Sequence, residues 1–187
     1  VNPKLAEETT IKFSGYLREN MYSMGENNTN PFSKELDHTN IYLDIERLRF
    51  GDRVKVEYDI KSDDFNMPTL TLQPIVENAV KHGICSKLEG GTIKISTEKK
   101  GRDHIITIED NGHGIPDEIK ERLGERGTTF GKADGFGLGL SHAKQTVESA
   151  GGKFLVESSS KLGTFANLTL PTTQPPWWFV DRIVIGS

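Results

Sequence analysis

The sequence predicts an α/β two-layer sandwich, with a mixed, mainly antiparallel sheet, helices on one face, and two further helices ahead of it. Three observations carry that reading. Residues 91–110 and 152–171 each alternate apolar and polar residues about a central turn, as β-hairpins do. Residues 53–60, "RVKVEYDI", alternate in the same way. Residues 72–84 instead repeat at helical spacing. Hairpin pairs predominate over strand–helix–strand units, which favours antiparallel pairing with the helices gathered on one side.

Taken in order, residues 5 to about 24 form a polar helix with Leu5, Ile11, Phe13, Tyr16 and Leu17, followed by a polar linker, Gly25 to Pro31. A second helix is expected over 33–50, where Leu36 and Leu43, and Ile41, Ile45 and Leu48, recur at helical spacing until Gly51-Asp52. The strand 53–60 puts Val54, Val56, Tyr58 and Ile60 on one face. Pro68 to Ile84 is the next helix, with Pro74 tolerable only in its first turn. The first hairpin turns near Lys100-Gly101, and Ile93, Ile95, Ile106 and Ile108 set its alternation. A short helix from Pro116 to Leu123, a glycine-bearing loop from Gly124 to Gly135, a helix from Leu138 to Ala150 and the second hairpin complete the series.

The 187 residues suffice for one domain with a sizeable core and an appendage. With 34% hydrophobic and 27% charged residues the composition is that of a soluble globular protein. A net charge of -4 gives no electrostatic case for nucleic acid as a partner. No apolar run is long enough to span a membrane. The single Cys85 excludes an intramolecular disulfide and, with no clustered His, a zinc site, so a reducing compartment is the simplest expectation. Val1 in place of Met points to a fragment.

Three segments carry chemistry. In "LQPIVENAVKHGI", Leu72, Ile75, Val76, Ala79, Val80 and Gly83 form one apolar face, and Glu77, Asn78, Lys81 and His82 fall on the other. Taken alone, Glu77 or Lys81 is a solvated helix residue. Asn78 is harder to dismiss, because Asn is a mediocre helix former, and its amide oxygen is a hard ligand of the kind that holds Mg²⁺ together with phosphate oxygens and water. In "EDNGHGIP", Asp110 ends a strand with an acceptor-only carboxylate able to receive the exocyclic amine of adenine. Gly112 and Gly114 lack a Cβ, so a planar base can approach the backbone there. The run "GFGLGL", with Gly135, Gly137, Leu138 and Gly139, opens a helix and offers unpaired N–H groups to phosphate. It is neither a Gly-x-x-x-x-Gly-Lys-Ser/Thr loop nor a dinucleotide fingerprint following a strand.

Together the three segments resemble the N, G1 and G2 boxes of the GHKL superfamily, whose nucleotide site is the Bergerat fold. "GTFANLTLP" resembles its closing hairpin, and the resemblance covers roughly residues 50 to 171. "LQPIVENAVKHGI" and "ELDHTNIYLDIERLRFGDR" are similar to sensor histidine kinases of the LytS and YesM type. That resemblance implies ATP and Mg²⁺ as cofactors, with Asn78 on Mg²⁺, Asp110 on adenine, and Gly112, Gly114, Gly135, Gly137 and Gly139 shaping the pocket. It further implies Lys81 or His82 facing the phosphates, Thr164 supporting the adenine-binding carboxylate, and the loop 117–134, with Arg122, Arg126 and Lys132, as a lid.

The partners implied are a response regulator, an upstream His-containing helix and a second copy of the full-length protein in a homodimer. The implied location is a cytoplasmic domain of a parent anchored in the cell membrane. Residues 1–50 would be the end of the dimerisation and phosphotransfer region, 51–171 the ATP-binding domain, and 172–187 a tail of unknown role. One departure stands out. Lys4 and Leu5 occupy the place of the family's phosphoacceptor His, so that His is expected upstream of Val1; His38, His104, His113 and His142 lack the matching context. Two rival functions are a hydrolytic ATPase of the same superfamily and a non-catalytic nucleotide- or partner-binding module. The first has Pro74 where such enzymes place a water-activating Glu, leaving Glu77 to take that role.

Overall fold

Alternating isoleucines and leucines account for the sheet. In a computed structural model, which describes residues 14–15, 29–85, 87–115, 139–159 and 163–172, five strands lie in the order β2-β4-β5-β7-β6. They are β2 (Val54–Ile60), β4 (Gly91–Lys100), β5 (Asp103–Asp110), β6 (Lys153–Ser159) and β7 (Gly163–Pro171). Ile93 and Ile95, Ile106 and Ile108, and Ala166, Leu168 and Leu170 all point to one face and are buried. Each buried isoleucine contributes roughly 1.5–3 kcal/mol of transfer free energy.

Both expected hairpin regions are present, with β4 antiparallel to β5 and β6 antiparallel to β7, and β5 joins them by pairing with β7. The pair β2–β4 is parallel, Val54 opposite Gly91. A parallel pair needs a crossover, and the crossover 61–90 carries the helix α2 across the buried face.

α2 runs from Leu72–Asn78 and widens into a π-helical segment, Ala79–Ile84, in which the Cys85 N–H reaches back to the Val80 carbonyl at 2.9 Å. Pro74 lies in its first turn, as anticipated. The helix starts later than Pro68, however. Asn66–Pro68 is instead a strand, β3, paired antiparallel with β1 (Thr29–Pro31) inside the expected linker. Extended pairing satisfies backbone groups that a helix starting at Pro68 would leave open. The third helix, α3 (Gly139–Ser149), buries Ala143 and Val147 one turn apart.

The helix α1 (Phe32–Phe50) matches the expected span and part of the expected pattern: Leu43 is buried and Leu36 packs against the core, whereas Ile41, Ile45 and Leu48 are not buried. Phe32, Glu35, His38, Thr39, Tyr42, Leu43 and Glu46 are buried, whereas Leu48 is 50% exposed. Phe32, Tyr42 and Leu43 share one core with the sheet and α2. Phe32 stacks on Phe65 at 5.0 Å, and Phe65 on the buried His104 at 4.4 Å. Of the expected helix 5 to 24 only residues 14 and 15 are described, and they are helical; the expected helix 116–123, the loop 124–135 and the tail beyond residue 172 lie outside the described residues.

Candidate functional site

The alternation that buries Ile106 and Ile108 also buries Asp110, the last residue of β5, at 6% exposure. Its partner across the ladder is Thr164 on β7. The Gly112 N–H donates to Asp110 Oδ1 at 2.8 Å. Burial pushes the Asp110 carboxyl above the usual carboxylate range, opposed by hydrogen bonds from Gly112 and Thr164 and by the Lys87 charge. A buried acid held this way is an acceptor waiting for a donor.

Bare backbone surrounds it. A Cβ at Gly83 would lie 2.6 Å from Asp110 Oδ1, and a Cβ at Gly112 would lie equally close to that oxygen and overlap Gly83 Cα. Glycine at both positions therefore lets the π-helical segment close on the strand end. Gly114 has φ 71°, and a Cβ there would overlap the Ser159 carbonyl. One residue on, the Ile115 N–H donates to Ser158 Oγ at 2.7 Å, and that hydroxyl lies 3.2 Å from Thr164 Oγ1 and 3.0 Å from the Gly163 carbonyl. The loop after Asp110 is thus pinned to the β6–β7 hairpin.

The helix side is more open. Asn78 is half-buried, and its Nδ2 donates to the Pro74 carbonyl at 2.6 Å. This fixes the amide and leaves Oδ1 as an acceptor. Gly139, the first residue of α3, sits beside it: a Cβ there would lie 3.3 Å from Pro74 Cβ and 3.7 Å from Asn78 Nδ2. Lys81 forms an ion pair with Glu77 one turn away. One helix therefore touches the acid end of the site through Gly83 and the α3 end through Asn78. Among the described residues no cluster of three or more His, Cys, Asp or Glu could hold a metal. A single amide oxygen completed by phosphate and water is a donor set that suits Mg²⁺.

The structure brings together Asp110, Gly112, Gly114 and Thr164 at one end, and Asn78 and Gly139 at the other. Gly135, Gly137, Leu138, Arg122, Arg126, Lys132 and the His82 side chain lie outside the described residues. Sequence reasoning missed Ser158 and the role of Gly83. It also missed Lys87, whose Nζ donates to the Asn111 carbonyl. The "HG" after Asn78 was visible as a glycine in a helix, which is itself a signal for close packing.

Residues 64–174 match the family described as histidine kinase-, DNA gyrase B-, and HSP90-like ATPase. The chain belongs to that family. Residues 1–54 also match the histidine kinase family. Among curated relatives, YwpD of Bacillus subtilis (strain 168) is 34% identical over 88% of this chain and 58% of its own length. The sensor protein LytS of Enterococcus faecalis (strain ATCC 700802 / V583) is 30% identical over 90% of this chain and 29% of its own. The chain thus spans only part of the relatives it matches. The catalytic domain of histidine kinase ThkA superposes with a TM-score of 0.64 at 22% identity, over 79% of this chain and 97% of that one, which places the fold. The expected fold class, the superfamily and the LytS-type relationship are all borne out. No helix among the described residues is long and apolar enough to cross a membrane.

Proposed function

We propose that this chain is the ATP-binding catalytic part of a two-component sensor histidine kinase, an ATP-dependent protein-histidine kinase. It moves the γ-phosphoryl group to a histidine on an upstream helix, for relay to a response regulator. The observation that carries the proposal is the buried Asp110 carboxylate ringed by glycine backbone. A flat base can lie on that backbone with its amine against the acid.

At the other end, Asn78 Oδ1 would hold Mg²⁺, and Gly139 at the start of α3, with Gly135 and Gly137 ahead of it in the sequence, would receive the phosphates. Mg²⁺ held there would neutralise charge on the triphosphate oxygens. The protein's own part is positioning: Asp110 orients the base, Thr164 and Ser158 hold the loop around it, and Asn78 fixes the phosphate end. Lys81 and His82 supply positive or hydrogen-bonding groups near the phosphates. Glu77 is engaged by Lys81, which argues against its serving as a water-activating base.

An imidazole nitrogen that is already neutral then attacks the γ-phosphorus in line and ADP leaves. That imidazole belongs to the upstream helix of the dimerisation region, of which residues 1–50 form the end. The parent protein acts as a homodimer at the membrane, with this portion in the cytoplasm.

Titration calorimetry of the chain with ATP and ADP, with and without Mg²⁺, tests the site. Binding of both nucleotides, strengthened for ATP by Mg²⁺, is expected; heat-silent titrations at millimolar nucleotide would overturn the proposal. Transfer of labelled phosphate to a supplied upstream helix bearing His tests the chemistry.

A further inference from the structure

The β4–β5 ladder stops in an unusual way beside Asp110. Its last regular pair is Ile93 with Asp110. Continued, the next pair would be Thr92 with Asn111, exchanging two backbone bonds. Only one of them forms as expected, from the Asn111 N–H to the Thr92 carbonyl at 3.3 Å. The other is made by a side chain: the Thr92 N–H donates to Asn111 Oδ1 at 2.8 Å. Gly91 makes room for that amide, because a Cβ there would lie 2.3 Å from Asn111 Oδ1.

The substitution releases the Asn111 carbonyl from the sheet, and Lys87 Nζ donates to it. Lys87 lies in the segment between α2 and β4, which is itself anchored. Arg53, in the 3-10 turn Gly51–Arg53 after α1, donates through Nη2 to the carbonyls of Cys85 at 3.2 Å and Lys87 at 2.6 Å. Gly90, with φ 74°, closes the segment on the Arg53 backbone, where a Cβ would overlap the Arg53 carbonyl. With its carbonyl turned out, the chain leaves the sheet at Asn111. The next N–H, that of Gly112, then comes back to Asp110 Oδ1.

We propose that Asn111 and Lys87 are positioning residues for the base: Asn111 ends the ladder with its side chain in place of its carbonyl, and Lys87 holds the carbonyl so released, which sets the backbone from Gly112 to Ile115 against Asp110. This rests on the nucleotide-site reading above. Neither side chain needs to touch nucleotide. The oxygen at Asn111 is what matters, so an isosteric acceptor should serve and a methyl should not.

ADP affinity in chelator, measured by calorimetry on the 1–187 chain at pH 8, reads the base end alone. Asn111→Ala is expected to weaken it about fivefold, and Asn111→Asp, which keeps the oxygen, to stay within about twofold of the unaltered chain. The strengthening of ATP binding by Mg²⁺ belongs to Asn78 and should be the same in all three. Lys87 has a second readout. Around Asp110 lie Ile93 of β4, Thr164 of β7, Gly83 of α2 and Gly112, none of them charged; among the described residues Lys87 is the charged group that acts on its carboxyl, favouring the ionised form. Lys87→Met should therefore move the pH at which ADP affinity falls away upward, and Lys87→Arg should restore it.

Amide hydrogen exchange is independent of nucleotide. Faster exchange at 91–93 and 110–114 is expected in Asn111→Ala, with protection regained in Asn111→Asp. Full ADP affinity in Asn111→Ala, an Asn111→Asp variant as weak as Asn111→Ala, or an unmoved pH midpoint in Lys87→Met would overturn the positioning roles. Should the unaltered chain bind no nucleotide, the proposed function fails and exchange alone decides: unchanged protection in Asn111→Ala overturns the ladder-ending role, and loss that Asn111→Asp repairs upholds it.

Discussion

The two ends of the site are built differently. Asp110 sits at the end of a central strand, flanked in the sheet by β4 and β7, with its place set by ladder register. Asn78 sits on a helix whose exit is tied down by Arg53, from the turn after α1, through the carbonyls of Cys85 and Lys87. Shifting Asp110 by one position would carry every neighbouring isoleucine to the wrong face. Moving Asn78 requires only small changes at the entry or exit of α2. The acid end is therefore rigid and intolerant of added atoms, and the helix end is adjustable.

The largest expected effect is at the rigid end. Asp110→Asn keeps the shape but presents an amide in place of an acceptor-only group. ATP and ADP affinity should fall about a hundredfold, on the order of 2.7 kcal/mol, measured by calorimetry. Unchanged affinity would remove Asp110 from the adenine site. Gly83→Ala comes next. Its Cβ would press on Asp110 Oδ1, so nucleotide affinity should drop about tenfold together with the melting temperature. If the variant binds normally, the close approach is not needed for binding.

At the adjustable end, Asn78→Ala should lose about tenfold in ATP affinity with Mg²⁺ and change little in chelator. An equal loss in both conditions would take Asn78 out of the metal's shell.

The smallest effect concerns pH. Burial raises the Asp110 pKa above its ordinary 3.8, so the folded state prefers the protonated acid. The stability this group contributes is complete below pH 3.8 and is lost as pH rises through the raised value. The apo Asp110→Asn protein should therefore melt no lower than the unaltered chain at neutral pH, and the difference should shrink on acidification. Nucleotide affinity runs the other way. It should weaken as pH falls through the raised pKa, because protonation removes the negative charge and turns one acceptor oxygen into a donor; calorimetry across that window tests it.

Much of this could be read directly from the residues. Alternation of Ile93, Ile95, Ile106 and Ile108 is a local property of strands, and the structure shows Asp110 continuing it on the buried face. Apolar spacing found α2 and Pro74 lies in its first turn, although the helix begins at Leu72 and not at Pro68. The short strands β1 and β3 have three residues each, too few to show a period. The face of α1 misled for a different reason. Its inner side buries the polar Glu35, His38, Thr39 and Glu46 beside Leu43, whereas hydrophobic spacing pointed also to Ile41, Ile45 and Leu48.

By itself the chain's residue order determined the long strands and helices, the family boxes and which residue types could meet adenine, phosphate and a metal. These depend on neighbours a few positions apart. Only the tertiary structure decided that β2 pairs parallel to β4, that Gly83 closes on Asp110, and that Arg53 holds the exit of α2. Those contacts join residues far apart in the chain. Their free energy comes from packing and from satisfying buried polar groups in three dimensions, which no local period records.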